Sequence, residues 1–192
     1  MSINVTNILD ELEFVGEAAL KEDLASFSCD VNEEIEEFIK EKAIDFAKRK
    51  LSITYIVNDT DDGAILGYFT LTHKSIVLNN EGVSKTTQKK LERYSRKDKK
   101  TGNYMASAFL LAQFGKNYGV EHGKRIRGAE LMKLVNDVLF DIQRRIGGGI
   151  LYLDCEDKPE LVRFYTNENF KRFDDRFSDD DRQMYIQFMR FL

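Results

Sequence analysis

The sequence predicts a mixed α/β (α+β) fold, and three stretches predict it. LSITYIVND and AILGYFTLTHKSIVL flank a DTDDG break and are rich in β-branched and aromatic residues, which reads as an antiparallel hairpin. From residue 108 the chain reads strand, loop, helix, strand. A buried run, AFLLAQFGKNYG, enters a basic glycine-containing loop, then a long amphipathic segment, then GGGILYLDC. A parallel strand pair joined by a crossover helix is the natural form of that order. KRFDDRF and QMYIQFMRFL close the chain as two further strands.

Length and composition bound the rest. The 192 residues fit one domain, 1–192, and 42% hydrophobic with 32% charged residues gives enough apolar mass for one core. No apolar run approaches the roughly 20 residues that cross a bilayer. The opening MSINVTNILDELEF lacks a basic region followed by an apolar one, so no secretion signal is expected and the protein reads as cytoplasmic, with no membrane partner. Cys29 and Cys155 then read as reduced, largely buried thiols. The only histidines are His73 and His122, and no Cys/His cluster has metal spacing, so no metal site is expected. A net charge of −4 argues against a molecule that is cationic all over.

Residues 17–28 read as a short helix and turn. In CDVNEEIEEFIKEKAIDFAKRK, Asp30 with Glu33 resembles a capping box. Ile35, Phe38, Ile39, Ala43 and Phe46 then fall at helical spacing, with glutamates early and Lys48, Arg49 and Lys50 late, as the helix dipole favours. His73 is placed at the end of the second hairpin strand, where a partly exposed structural residue is the plainer reading than a catalytic one.

Residues 80–103 change composition and read as a basic insertion: a short helix near 85–95, then a lysine-rich loop. Lys85, Lys89, Lys90, Arg93, Arg96, Lys97, Lys99 and Lys100 lie here. A solvated loop is the plain reading. An electrostatic contact with RNA, a cofactor's phosphates or an acidic partner is the functional one, with Tyr94 and Tyr104 available for stacking.

The strand 105–116 is nearly continuous in apolar residues, as a strand covered on both faces should be. Leu131, Leu134, Val135, Val138, Leu139 and Ile142 form one helical stripe, Arg144 and Arg145 occupy the last turn, and Gly147 supplies the stop. Pro159 suits the first turn of the next helix, where its missing N–H costs nothing, and Asn169 can take the left-handed conformation after it. The segment from Asp174 to Asp181 is acidic, and the acidic loop between the last two strands reads as a hairpin connection.

This order resembles the GNAT family of acyl-CoA-dependent N-acetyltransferases. FLLAQFGKN looks like the family's central strand, and IRGAEL like the end of its pyrophosphate loop and the start of its long helix. ILYLDCEDKPELVRFYTNENFKRF looks like its fifth strand, following helix and closing strand. DLASFSCDVNEEIEEFIKEKA and LGYFTLTHKSI resemble the GNAT proteins that act as toxins of bacterial toxin–antitoxin pairs. The likeness covers roughly residues 24–191. It implies a mostly antiparallel central sheet flanked by helices, with a splayed parallel strand pair at the cofactor site. The family's loop pattern fits in two registers. Gly128 in the last position puts Ile126 at the first glycine's place and Gly123 at that of the Arg/Gln. Ala129 in the last position makes Lys124 the basic residue and puts Arg127 where a glycine is usual.

The resemblance implies acetyl-CoA as cofactor and assigns roles. Backbone N–H groups at a helix N-terminus suit a pyrophosphate, and Lys124, Arg125, Ile126, Arg127, Gly128 and Ala129 form that loop. The backbone of Phe114, Gly115 and Lys116 would pair with the pantetheine arm as an added strand, and an N–H at Phe114 or its neighbour would polarise the thioester carbonyl. Tyr165 holds the place of the general acid that protonates the departing thiolate, because a phenol with a pKa near 10 is protonated at neutral pH. Asp154 and Glu156 are candidate bases, with solvated or capping carboxylates the plainer reading. Cys155 between them has no cationic neighbour in sequence and reads as structural. The implied acceptor is a primary amine. The toxin subgroup makes aminoacyl-tRNA the sharpest candidate, with an antitoxin protein and a homodimer as further candidate partners. A small-molecule or peptide amine, or a CoA-binding regulatory module without turnover, is the alternative.

Overall fold

The computed structural model describes residues 2–79, 84–178 and 183–192. Seven helices and eight strands are described: β1 (Ile3–Asn7), α1 (Ile8–Val15), α2 (Glu17–Ala25), α3 (Glu33–Glu37), a π turn (Phe38–Lys42), α4 (Ala43–Lys48), β2 (Ile53–Asp59), β3 (Ile65–Leu78), α5 (Lys85–Tyr94), β4 (Ser95–Lys97), β5 (Tyr104–Lys116), a 3-10 turn (His122–Lys124), α6 (Gly128–Ile146), β6 (Ile150–Glu156), α7 (Pro159–Asn167), β7 (Lys171–Phe177) and β8 (Met184–Phe191). The strands form one mixed sheet in the order β1-β2-β3-β5-β6-β8-β7, with β4 beside β5. Only β5 and β6 pair in parallel among the registers described. The chain divides into two compact units, Met1–Thr72 with Ala112–Val138, and His73–Leu111 with Leu139–Leu192.

In the first unit, β2 and β3 pair antiparallel as the hairpin pattern predicts. The first seven residues of β3, Ile65 to Leu71, are all buried, so this half of the strand is covered on both faces. Thr54 and Thr70 share a buried hydroxyl–hydroxyl hydrogen bond of 2.8 Å, which satisfies both. The segment after Asp30 starts its helix later than the Asp30–Glu33 spacing suggests. Asn32 is the cap: it is extended at φ −159°, and its Oδ1 accepts from the N–H groups of Glu34 and Ile35. A turn closed by Asn32 N–H to the Cys29 carbonyl sets that offset. The helical stretch is also not uniform. It widens at Phe38–Lys42, where the Ala43 N–H reaches back five residues to the Phe38 carbonyl. Phe38, Ile39, Ala43, Ile44 and Ala47 are buried on one core with Ile8, Leu20, Leu24 and Phe27. Strand β1 and helix α1, with Asn7 capping the helix through the Leu9 N–H, add an edge strand and a helix ahead of the segments read from sequence.

In the second unit, the later half of β3 opens to one side. His73 lies inside this strand and not at its end; its ring packs on Phe109 at 5.1 Å and its Nε2 meets Ser107 Oγ at 2.7 Å. The two-sided burial predicted for 105–116 holds only in the middle of β5. Tyr104, Ala106 and Ala108 are buried while Met105 and Ser107 are exposed, because a single face carries the core there. The basic stretch forms α5 as predicted, then β4, which pairs antiparallel with the start of β5. The parallel register of β5 and β6 runs from Ala108↔Ile150 to Leu110↔Tyr152 and ends there. Helix α7 has Pro159 in its first turn, and Asn169 takes φ 65° beyond its end, as the sequence indicates. Part of the turn between β7 and β8, Asp179 to Arg182, lies outside the described residues.

Candidate functional site

The end of β5 and the loop after it belong to the first unit. Gly115 is a packing glycine: a Cβ there would lie 2.3 Å from Ile35 Cγ2 and 3.2 Å from Tyr68 Cε1. Gly67 is equally constrained, since its Cβ would fall 2.8 Å from the Gly115 carbonyl oxygen. Two strands therefore approach closely at the place where Phe114, Gly115 and Lys116 run. Phe114 and Lys116 are half-buried.

Asn117 then ends the strand. It is only 2% exposed, and every arm of its amide group is used. Its Nδ2 donates to the Ile65 carbonyl at 2.8 Å, and its Oδ1 accepts from the N–H groups of Ser28 at 2.9 Å and Gly119 at 2.8 Å. Its backbone N–H donates to the Leu66 carbonyl, and the next N–H, of Tyr118, donates to the Ser28 carbonyl at 2.7 Å. Sequence reasoning missed this clamp. An asparagine after a strand reads as an ordinary turn residue, and nothing local marks partners so far away.

The basic loop residues have different fates. Arg125 turns inward: its guanidinium donates to the carbonyls of Tyr118 at 2.6 Å and Val120 at 3.2 Å and lies over the Tyr118 ring at 5.3 Å. Lys116 Nζ covers the same ring at 5.2 Å. Lys124 pairs with Asp62 of the β2–β3 turn at 2.6 Å, which holds that carboxyl below its usual range and raises the ammonium. Ile126 is buried and anchors the loop to the core. Arg127 is exposed, and its backbone N–H is capped by Glu130 Oε2 at 2.8 Å, the backward arm of a capping box. Gly128 and Ala129 open α6 with the first-turn N–H groups that have no carbonyl partner within the helix.

In the second unit, Tyr165 is 7% exposed on α7, against Phe164 at 5.1 Å, Phe170 at 5.7 Å and Phe188 at 6.1 Å. Burial, and then the Cys155 thiol, push its phenol well above the ordinary value, so it keeps its proton throughout the neutral range. Asp154 is held by Arg176 at 2.9 Å and Gln187 Nε2 at 2.8 Å, and Glu156 by Lys158 at 2.5 Å. Each carboxylate thus has a cation on it. Cys155 is a buried free thiol, pushed up to about 12 by desolvation and by the acidic side chains around it; Cys29 is likewise free, buried and raised. Neither is poised as a nucleophile. Among the described residues, no group of three or more His, Cys, Asp or Glu side chains is placed to hold a metal ion, and no helix is long and apolar enough to cross a membrane.

No family model and no curated protein matches the chain. Solved structures do. AtaT complexed with acetyl-methionyl-tRNAfMet is similar at a TM-score of 0.64 and 16% identity, over 96% of this chain and 94% of that one. A tyrosine-to-phenylalanine mutant of KacT gives 0.65 and 19%, over 97% and 94%. An AtaT mutant toxin bound to the C-terminus of the antitoxin AtaR and acetyl-CoA gives 0.63 and 14%, over 100% and 94%. The chain has the GNAT fold. At these identities the likeness speaks for architecture. The parallel pair of this fold is β5 and β6, and α6 is the long helix that crosses over between them.

Proposed function

We propose that the chain is an acetyl-CoA-dependent N-acetyltransferase that passes the acetyl group directly to a primary amine, with the aminoacyl group of a charged tRNA as the favoured acceptor. The observation that carries the reading is the strand–loop–helix unit of β5, Asn117–Arg127 and α6 on a GNAT fold. A strand end pinned by Asn117 leads through a stapled loop into a helix that opens with two small residues.

The residues present fit the cofactor. The N–H groups of Gly128 and Ala129 suit a pyrophosphate, and their small side chains permit its close approach. Arg127 is the loop cation whose side chain is left to face the phosphates, since Arg125 staples the loop and Lys124 is on Asp62. Glu130 puts a carboxylate in the same turn, which the Arg127 charge offsets. When bound, acetyl-CoA supplies a thioester, an acyl group already activated towards an amine. The backbone of Phe114, Gly115 and Lys116 would align the pantetheine amides and polarise the thioester carbonyl. Tyr165, whose phenol is raised by burial and stays protonated, would be the donor to the departing thiolate. Asp154 and Glu156 are each ion-paired, so the proton that the attacking amine sheds is assigned to water rather than to either carboxylate.

The tRNA acceptor takes its support from the similar AtaT structure complexed with acetyl-methionyl-tRNAfMet. An antitoxin partner takes its support from the AtaT complex with AtaR. A screen of acetyl-CoA turnover with charged tRNAs, polyamines, free amino acids and peptides tests the acceptor. Transfer to the aminoacyl ester-linked amine alone is the expected result. Transfer only to polyamines or peptides would reassign the substrate, and acetyl-CoA binding without any turnover would favour a regulatory module.

A further inference from the structure

Helix α5 and strand β4 carry a charge distribution that acetyl transfer does not use. Between Lys85 and Lys100 there are eight Lys or Arg residues against two carboxylates, Glu92 and Asp98, in a chain whose net charge is −4. On α5 the cations are concentrated on one face. Lys85, Thr86, Lys89, Lys90 and Arg93 line a single open cavity of about 380 Å³. All five are exposed, and the helix buries only Leu91.

This face works against its own helix. Lys85, Lys89 and Arg93 succeed one another at i,i+4 spacing, where like charges repel. Among the described residues, none of the eight cations is in an ion pair with a carboxylate. Lys90 and Lys97 instead lay their ammonium groups over the rings of Phe191 and Tyr104, at 5.5 and 5.2 Å. Asp98, the one acid of the β4–β5 turn, is spent on that turn, accepting from the N–H groups of Lys100 and Thr101 at 2.8 Å.

We propose that the exposed cationic face of α5, continued by Arg96 and Lys97 of β4, is a binding surface for the phosphate backbone of RNA. The composition favours a polyphosphate over an acidic protein. Protein interfaces are depleted in Lys and need apolar anchors, whereas this face is lined by Lys85, Thr86, Lys89, Lys90 and Arg93, none of them apolar. Nucleic-acid interfaces are strongly cationic and polar. The choice of RNA rests on the proposed aminoacyl-tRNA acceptor. The surface would hold the body of that RNA without reading its sequence, because lysines on phosphates position and do not specify.

The test uses the full chain and deacylated bulk tRNA, so that no acetyl transfer is involved. Anisotropy titrations compare the native chain with a variant carrying Lys85→Ala, Lys89→Ala, Lys90→Ala and Arg93→Ala. Six phosphate contacts, four from α5 and two from Arg96 and Lys97, at a slope of about −0.7 to −0.9 each, predict roughly a thousandfold loss of native affinity between about 50 and 200 mM salt. In the variant that slope should flatten by about three units. The variant should melt close to the native chain, because the alanines remove the i,i+4 repulsion while the Lys90 ammonium is lost from the Phe191 ring, and should keep its thermal shift with acetyl-CoA. An unchanged salt slope in the folded variant would overturn the proposal. So would tighter binding of polyglutamate than of tRNA, which would assign the face to an acidic protein. The predicted salt slope in a native chain that shows no turnover in the separate acetyl-CoA screen would support this surface and count against the acetyltransferase reading.

Discussion

The side-chain oxygen of Asn117 accepts the backbone N–H of Ser28 at 2.9 Å, joining residues 89 positions apart. The same oxygen holds Gly119, and the amide nitrogen holds Ile65. One buried side chain therefore fixes where β5 ends, where the following loop begins, and how both meet the turn before α3.

Asn117→Ala should be strongly destabilising. It leaves the N–H groups of Ser28 and Gly119 and the carbonyl of Ile65 without their partner in a buried place, and each such group costs about 1–3 kcal/mol. A loss of about 3 kcal/mol or more in denaturant unfolding is expected. A loss under about 1 kcal/mol would mean that the clamp is dispensable.

Gly115 and Ile35 should be coupled. A methyl group at Gly115 lands 2.3 Å from Ile35 Cγ2, so Gly115→Ala should cost about 1–3 kcal/mol by overpacking. Ile35→Ala opens that space. In a double-mutant cycle Gly115→Ala should be less costly on the Ile35→Ala background, by about 1 kcal/mol. Additive effects would show that the strain is relieved elsewhere.

Stability should decline in alkali in a way that Cys155 helps to set. Unfolded, its thiol releases a proton near 9.0; folded, it does so at about 12. Between these values the folded chain binds more protons than the unfolded one, so stability falls as pH rises through that window, while below 9.0 the group contributes nothing. Urea midpoints at about pH 8 and about pH 11 should show a smaller drop for Cys155→Ala than for the native chain. The same burial should keep Cys29 and Cys155 unreactive to thiol reagents at about pH 8 until denaturant is added.

Tyr165→Phe should lower kcat by about 10²–10⁴, the usual range for a general acid, with little change in acetyl-CoA affinity. The ring still fills the space against Phe164, Phe170 and Phe188, so melting should hardly move. Unchanged turnover would remove Tyr165 from the mechanism.

Elements whose signals are local were legible in the sequence. The β2–β3 hairpin, the α6 stripe ending at Gly147, Pro159 in the first turn of α7 and left-handed Asn169 all follow from periodicity and backbone preference. Long-range commitments were not. Lys124 and Arg125 look alike in sequence, yet one reaches Asp62 and the other staples Tyr118 and Val120. Asn32 rather than Asp30 caps α3 because a turn through Cys29 shifts the start, and propensity cannot distinguish neighbouring capping residues. Of the candidate site, the residues could be named from the resemblance, but the division of the loop into staple, ion pair and anchor required the tertiary structure.

The central claim is that this chain binds acetyl-CoA and transfers its acetyl group, and calorimetric titration of the full chain with acetyl-CoA tests its first requirement most directly. The expected result is saturable binding that weakens when Gly128→Pro or Arg127→Glu alters the start of α6. No binding heat and no thermal shift at about millimolar acetyl-CoA, where an occupied site would be stabilised by mass action, would contradict it.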